Sequence, residues 1–213
     1  MLSVVSISVS LGGRRILDAV SLEVAAGEVV AVLGPSGSGK STLLRAITGL
    51  VEVESGRVLV DGADVTATPT HRRRVAMVFQ DDQLFPHRDV AGNVAFGLEM
   101  TGVGRADRER RVAELLGVVG LDGFGPRDVS TLSGGEAKRV ALARSLAPEP
   151  AVLLADEPLT GLDDELHERL VGEVAGILRS TSMTTLWVTH DRAEAALVAD
   201  RSVSLADLSG VNR

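Results

Sequence analysis

The chain of 213 residues carries a formal net charge of -7, contains 45% hydrophobic but only 2% aromatic residues, and has no cysteine. The acidic charge and the shortage of rings for stacking bases argue against nucleic-acid binding, and the lack of cysteine excludes disulfides and thiolate metal sites. No apolar run approaches the roughly 20 residues of a membrane-spanning helix, and the N-terminus lacks a signal-peptide pattern. We therefore expect one cytosolic α/β domain whose membrane role, if any, comes through a partner.

The first part of the chain predicts two kinds of strand. Residues 4–9 and 20–24 alternate apolar and polar side chains between turn signals, which is typical of antiparallel strands. Residues 56–62 predict another strand that ends in an Asp-Gly turn. Residues 29–33 are instead a continuous apolar run and residues 74–79 predict a further buried strand, as in a parallel sheet. The sequence therefore predicts a small antiparallel sheet beside a mainly parallel one.

A glycine-rich loop follows the first apolar run. It reads Gly34-Pro35-Ser36-Gly37-Ser38-Gly39-Lys40-Ser41-Thr42, with the spacing G-x-x-x-x-G-K-S, and helix-forming residues come next. Such a loop lets backbone N–H groups surround a phosphate, and the helix N-terminus adds a partial positive charge. Lys40 is then placed to reach the β- and γ-phosphates, and Ser41 to offer a hydroxyl to Mg²⁺. A simple turn between strand and helix is the alternative.

The middle of the chain predicts helices over residues 90–100, 105–119 and 136–146, separated by glycine-rich segments. The charged run 105–111 is typical of a solvated, salt-bridged helix face. Ser133, Gly134 and Gly135 open the third helix and form a second anion-binding geometry. Two phosphate-binding helix starts in one chain are unexpected for one nucleotide, unless the second serves the nucleotide of a neighbouring subunit.

The last part returns to alternating strands and helices. Residues 151–155 predict a buried strand that ends in Asp156 and Glu157, at the edge where open α/β sheets bind ligands. Asp156 would hold Mg²⁺ and Glu157 would polarise an attacking water as general base; a strand ending on two solvated acids is the alternative. A helix over 164–179 and strands over 184–189 and 202–205 follow. We assign Trp187 to the core and His71, His87 and His167 to the surface.

Several motifs now match one family in order and spacing. These are Gly34–Thr42, Gln80, Leu132–Glu136, Val152–Glu157, Gly161–Asp163 and His190. Over nearly its whole length the sequence resembles the nucleotide-binding subunit of ATP-binding cassette (ABC) transporters. The resemblance implies a P-loop NTPase (RecA-like) α/β fold, with a mainly parallel sheet, an N-terminal antiparallel β subdomain and an inserted helical subdomain. We expect one domain over 1–213, with the nucleotide-binding core at 1–87 and 147–213 and the helical subdomain, carrying L-S-G-G-E, at 88–146.

The resemblance also implies the site. Two copies would pack head to tail and hold each Mg²⁺-ATP between the glycine loop of one and Ser133, Gly134 and Gly135 of the other. Ser41, Gln80 and Asp156 would contact Mg²⁺. Glu157, His190 and Gln80 would be catalytic, with His190 at the γ-phosphate, and Asp163 would communicate across the dimer.

Two positions depart from the family pattern. Leu11 stands where an aromatic ring usually stacks on adenine, so it covers the base without a π surface. Glu136 stands where Gln is more common, and places a carboxylate near the opposite triphosphate.

The segment after Gln80, with Leu84-Phe85-Pro86-His87, resembles bacterial importers of small solutes such as sulfate, polyamines, iron(III), molybdate and thiamine. Many of those relatives carry a C-terminal β-barrel, for which residues 1–213 predict no counterpart. Residues 201–207 are similar to the thiamine importer ATPase. We expect a homodimeric ATPase on the cytoplasmic face of the membrane, below permease subunits and served indirectly by a solute-binding protein. The alternatives are a soluble ATPase of this family without a transport role, an exporter subunit, and a non-hydrolysing ATP-binding module.

Overall fold

The computed structural model describes residues 1–209. Its strands are β1 Leu2–Leu11, β2 Arg14–Val24, β3 Val29–Leu33, β4 Ser55–Val60, β5 Ala63–Asp64, β6 Val75–Val78, β7 Val152–Asp156, β8 Thr185–Thr189 and β9 Arg201–Ser204. Its α-helices are α1 Lys40–Thr48, α2 Val90–Met100, α3 Arg105–Val118, α4 Gly134–Leu146, α5 Asp164–Ser180, α6 Arg192–Val198 and α7 Leu205–Leu208, and 3-10 turns occur at Thr70–Arg72 and Val129–Thr131. Within the described part of the chain, no helix is both long enough and apolar enough to cross a bilayer.

The N-terminal strands form an antiparallel sheet in the order β2-β1-β4-β5. Leu2 pairs with Val24 on one side and with Val60 on the other. The turn between β1 and β2 consists of Gly12 and Gly13, both with positive φ, as a two-residue type I′ hairpin requires. This tight turn extends the pairing, so both strands are longer than the alternating pattern alone predicted.

The second sheet is parallel, in the order β6-β7-β8-β3-β9. Its register aligns the carboxyl ends of the strands, since Val78 lies beside Ala155 and Leu33 beside Thr189. The segments that leave these strands therefore start from one edge. This edge receives the glycine loop after β3, Gln80 after β6, Glu157 after β7 and His190 after β8.

Helices and the antiparallel sheet cover the parallel sheet on its two faces. On one face, Val30 and Val32 of β3 pack with α1 and with apolar residues of the antiparallel sheet. On the other, Leu153, Ala155 and Trp187 pack with residues of α2 to α5. Strands buried on both faces explain the continuous apolar runs, and the arrangement confirms the predicted architecture.

Two α-helices were not predicted. The seven residues of α6 and the four of α7 are too short to show a helical period. The signal that could have found α6 is Asp191 followed three residues later by Glu194, because Asp191 accepts hydrogen bonds from the first amides of that helix. The other helices begin and end within a few residues of the predicted bounds.

Candidate functional site

The glycine loop closes around the ammonium group of Lys40. This side chain is only 4% exposed, and its Nζ donates to the carbonyl oxygens of Gly34 at 2.8 Å and Pro35 at 3.1 Å. Gly39 has a φ of 105°, and a Cβ there would lie 3.1 Å from Ile16, so this position requires glycine. Ser36 and Gly37 form the outer part of the loop, and Thr42 lies in the first turn of α1.

The loop retains unsatisfied polar capacity. Among residues 1–209, the buried Oγ of Ser38 has no hydrogen-bond partner. A buried hydroxyl without a partner is costly, and an anion seated on the loop would supply the missing acceptor. The loop therefore fits a phosphate group.

Ser41 and Asp156 form the part of the site that suits a divalent cation. Ser41 Oγ donates to Asp156 Oδ1 at 3.0 Å, and Asp156 is 7% exposed. Burial raises the pKa of the Asp156 carboxyl, the hydrogen bond from Ser41 opposes this, and Glu157 adds repulsion. Mg²⁺ prefers such hard oxygen ligands, and its charge would compensate for the buried carboxylate.

Glu157 joins the loop to His190. Its Oε1 lies 3.5 Å from Lys40 Nζ, and its Oε2 lies 3.1 Å from His190 Nδ1. Glu157 itself has a φ of 46°, a left-handed conformation that costs a non-glycine residue about 1–3 kcal/mol. Its amide nevertheless donates to Val188 at 2.9 Å, so the strained turn is held in place by β8. Such strain is frequent at functional sites.

Gln80 is exposed and lies two residues beyond the end of β6. The segment that it begins is attached to α4: Arg144 donates to Asp82 O at 2.9 Å and to Gln83 O at 2.8 Å. Lys138, also on α4, lies 3.5 Å from Asp82 Oδ1. Sequence reasoning did not identify these two cations, which connect the Gln80 segment to the helix that Ser133 begins.

Ser133 is the N-cap of α4 and forms a capping box with Glu136. Glu136 Oε2 accepts from Ser133 N at 2.7 Å, and Ser133 Oγ accepts from Glu136 N at 3.3 Å. The first of these bonds is the main reason that the pKa of Glu136 is lowered. A second partner, Arg127, lies 3.5 Å from the other carboxylate oxygen. These contacts give the unusual Glu136 a local role, which Gln can also fill in a capping box.

The structure does not bring the two anion-binding elements of one chain together. Within residues 1–209, no hydrogen bond or ion pair joins Ser133, Gly134 or Gly135 to the loop at 34–42. Gly135 is buried, and a Cβ there would lie 3.1 Å from Leu170 of α5. Asp163 is the N-cap of α5.

Leu11, at the end of β1, is 42% exposed, so its side chain is accessible to a ligand.

One of the four burial assignments was wrong and three were confirmed, since His71 and His87 are exposed as predicted. Trp187 is 1% exposed and belongs to the core as predicted. His167, assigned to the surface, is half-buried instead, with Nε2 at 3.2 Å from Glu194 Oε2. Glu194 is itself buried and lies outside every sequence motif, so nothing in the sequence marked His167 as its partner.

A family model described as ABC transporter matches residues 17–160, which include the glycine loop, Ser133 and Glu157. The chain belongs to the ABC transporter family. It is 56% identical over 207 residues to the Fe(3+) ions import ATP-binding protein of Streptomyces coelicolor, covering 97% of this chain and 60% of that protein. It is 47% identical over 202 residues to the sulfate/thiosulfate import ATP-binding protein of Thermosynechococcus vestitus, covering 95% of this chain and 60% of that protein. The cassette thus spans about 60% of the length of these curated relatives.

Solved structures of cassettes share the fold. A dimeric cassette in a post-hydrolysis state bound to ADP and Pi superposes with a TM-score of 0.84 at 30% identity, covering 100% of this chain and 97% of the other. A dimeric bacterial ABC transporter cassette gives 0.82 at 30% identity, with coverage of 96% and 94%. The match extends over both sheets and the helices between them.

Proposed function

We propose that this cassette hydrolyses ATP, with Mg²⁺, between two copies of itself and thereby drives import of a small solute through membrane permease subunits. The observation that carries the proposal is the contact of Glu157 with both Lys40 and His190 at the carboxyl edge of the parallel sheet. A general base must lie within hydrogen-bond reach of the group that it acts on. Glu157 lies beside Lys40, the cation that would bind the γ-phosphate. A water between Glu157 and that phosphate would therefore be within reach of the carboxylate.

Different residues of the chain would contact the phosphates, the metal and the attacking water. Lys40 would exchange its contacts with the Gly34 and Pro35 carbonyls for phosphate oxygens, and the amides of residues 36–42 would enclose the β-phosphate. Glu157 would accept the proton of the attacking water. His190, held at 3.1 Å from that carboxylate, would contact the γ-phosphate, and Gln80 would contact the metal and the water.

Ser41, Asp156 and Gln80 would hold the metal. Bound Mg²⁺ neutralises the charge that develops on the phosphates during transfer. The second face of each ATP would come from Ser133, Gly134 and Gly135 of the other copy, with Leu11 covering the base and Asp163 reaching the opposite site. This assignment is supported by the separation of the two anion-binding elements within one chain and by the dimeric form of both similar structures.

Import is the proposed direction because the relatives compared above are named for import, of ferric ions and of sulfate or thiosulfate. The same names support a small inorganic solute; thiamine remains a prediction from residues 201–207. The cassette would act on the cytoplasmic face of the membrane, bound to permease subunits. A solute-binding protein would deliver the solute to these subunits. As part of this proposal, residues 88–146 act as a helical subdomain of the single domain 1–213.

Substitution Glu157→Gln tests the proposal. It keeps the size of the side chain and removes the base, so we expect turnover to fall by at least about 100-fold, the lower end of the usual contribution of a general base. Binding of ATP, measured by titration, should remain. The variant should also accumulate as an ATP-bound dimer in size-exclusion chromatography.

Glu168→Gln is the matched control, since Glu168 is an exposed carboxylate on α5 outside the site. It should hydrolyse ATP at the wild-type rate. If Glu157→Gln hydrolyses ATP as fast as this control, Glu157 is not the base.

A further inference from the structure

A buried carboxylate lies behind the site and takes no part in the proposed chemistry. Glu194 of α6 is 5% exposed. Its Oε1 accepts from Trp187 Nε1 at 2.5 Å and its Oε2 from Thr189 Oγ1 at 3.1 Å. His167 Nε2 lies 3.2 Å from the same Oε2. Both oxygens therefore have partners, drawn from β8 and from α5.

Packing of the core does not by itself explain these contacts. A buried carboxylate costs free energy unless it is hydrogen-bonded, and an apolar side chain could fill the same volume without that cost. Glu194 is also enclosed by other residues, so its side chain would not contact a bound nucleotide directly. The set Trp187, Thr189, Glu194 and His167, here called the Glu194 cluster, must therefore act through other residues if it has a functional role.

The Glu194 cluster can act through His190. Thr189 immediately precedes His190, and its hydroxyl both donates to Glu194 and accepts from Asp191 N at 3.0 Å. The same hydroxyl thus connects the residues on both sides of His190. The His190 side chain is 57% exposed, so its own packing does not fix it.

We propose that Glu194 is a positioning residue, which, through Thr189, fixes the turn between β8 and α6 so that His190 stays within hydrogen-bond distance of Glu157. The inference rests on the proposed ATP hydrolysis. The contact with His167 joins the same turn to α5, where the His167 amide donates to Asp163 O at 2.8 Å. The Glu194 cluster therefore links the start of α5 to the turn that carries His190.

The test compares Thr189→Val, which removes both hydrogen bonds of the hydroxyl, with Thr189→Ser, which keeps them, and adds Glu194→Gln. A displaced His190 should lower kcat by about 10- to 100-fold, the effect of small misplacements of catalytic groups. The Kd for ATP should change by less than about twofold, because the loop at 34–42 is unaffected. Thr189→Ser should restore kcat, and Glu168→Gln is the matched carboxylate control.

The only tryptophan in the chain supplies an internal readout. The sequence has one Trp and no Tyr, so fluorescence reports Trp187 alone. Replacing the charged acceptor of its indole N–H by a neutral amide should shift the emission in Glu194→Gln. A kcat that stays unchanged in Thr189→Val and in Glu194→Gln overturns the proposal. A loss of kcat that Thr189→Ser does not rescue also overturns it, because it would reflect packing rather than the hydroxyl.

Failure of the proposed function is a separate outcome. If the wild-type chain does not hydrolyse ATP, the positioning role is decided by the imidazole signals of the four histidines in NMR spectra. A His190 signal that changes in Thr189→Val but not in Thr189→Ser supports the role. A His190 signal that is the same in the wild type, Thr189→Val and Thr189→Ser contradicts the positioning role.

Discussion

Asp156 combines a cost to folding with a proposed role in binding a metal. It is a buried carboxylate, and burial raises its pKa, so without a cation it weakens the fold that presents it. The proposed function gives a reason for a carboxylate at this position, since a divalent cation would offset its charge. The cost and the role can be measured separately, because folding can be followed without metal and nucleotide.

Substitution Asp156→Asn should stabilise the metal-free cassette at neutral pH. The change removes the buried charge and keeps an oxygen to accept from Ser41. We expect a gain on the order of 1 kcal/mol, and each kcal/mol raises Tm by about 2–4 °C for a chain of this size. Thermal unfolding in the presence of a chelator measures the gain, and Mg²⁺-dependent ATP hydrolysis should be lost.

The gain should depend on pH in one direction. The native pKa of Asp156 lies above the ordinary value of 3.8, so the native state binds its proton more readily than the unfolded state. Stability from this group is complete below 3.8 and is lost as the pH rises through the native pKa. The advantage of Asp156→Asn should therefore grow between acidic and neutral pH; a constant difference would contradict the burial effect.

Leu11 gives a test of base recognition. Substitution Leu11→Tyr adds a ring at a side chain that is already 42% exposed, and stacking on adenine should strengthen ATP binding by about 0.5–1.5 kcal/mol. The control is Leu50→Tyr, at a leucine of similar exposure, 53%, that follows α1. A Kd for ATP that is the same in both variants would mean that another residue covers the base.

At the scale of elements, the C-terminus of α1 depends on a buried arginine. Arg73 is 6% exposed, and its guanidinium donates to the carbonyls of Ala46, Ile47, Thr66 and Thr68. These bonds satisfy the last carbonyls of the helix that begins at Lys40. They also connect α1 to the segment after β5.

Gly49 ends α1 beside this guanidinium. Its φ is 79°, and a Cβ there would lie 2.5 Å from Arg73 Cζ. Gly62 has the same φ of 79°, but a Cβ there would meet nothing within 4 Å. Gly49→Ala should therefore lower the free energy of unfolding by about 1–3 kcal/mol more than Gly62→Ala, the usual cost of overpacking. Chemical denaturation measures both. Equal losses would show that the guanidinium moves aside.

The sequence predicted most elements because their signals are local. The bounds of α2 are those expected from residues 90–100, since Asp89 caps it and the pattern is long. The short α6 was missed, and so was the capping box of Glu136, which explains why α4 begins at Gly134 rather than at 136. The partners Lys138 and Arg144 were also missed, because no local pattern shows which loop a cation will meet.

At the scale of the whole molecule, the two anion-binding elements predict complementation. Lys40→Ala should disable the loop, and Ser133→Asp should keep the helix cap while repelling a triphosphate. Each variant alone should be inactive. An equal mixture should recover about a quarter of the wild-type rate, since half of random dimers combine the two chains and each has one intact site. A coupled assay of phosphate release measures this.

The control for complementation is Ser133→Asn, which caps the helix without adding charge. It should be more active alone than Ser133→Asp. A mixture of Lys40→Ala and Ser133→Asp that stays inactive would place both residues in the same site and would contradict the shared arrangement.

The sequence by itself determined the family motifs, the two sheets and most of the candidate site, because glycine spacing, apolar runs and strand ends are properties of neighbouring residues. Only the tertiary structure decided which distant groups meet: Glu157 between Lys40 and His190, the guanidinium of Arg73 under α1, and Glu194 behind Thr189. Those contacts join residues far apart in the chain, and they form only when parallel strands align in register and the helices pack against them.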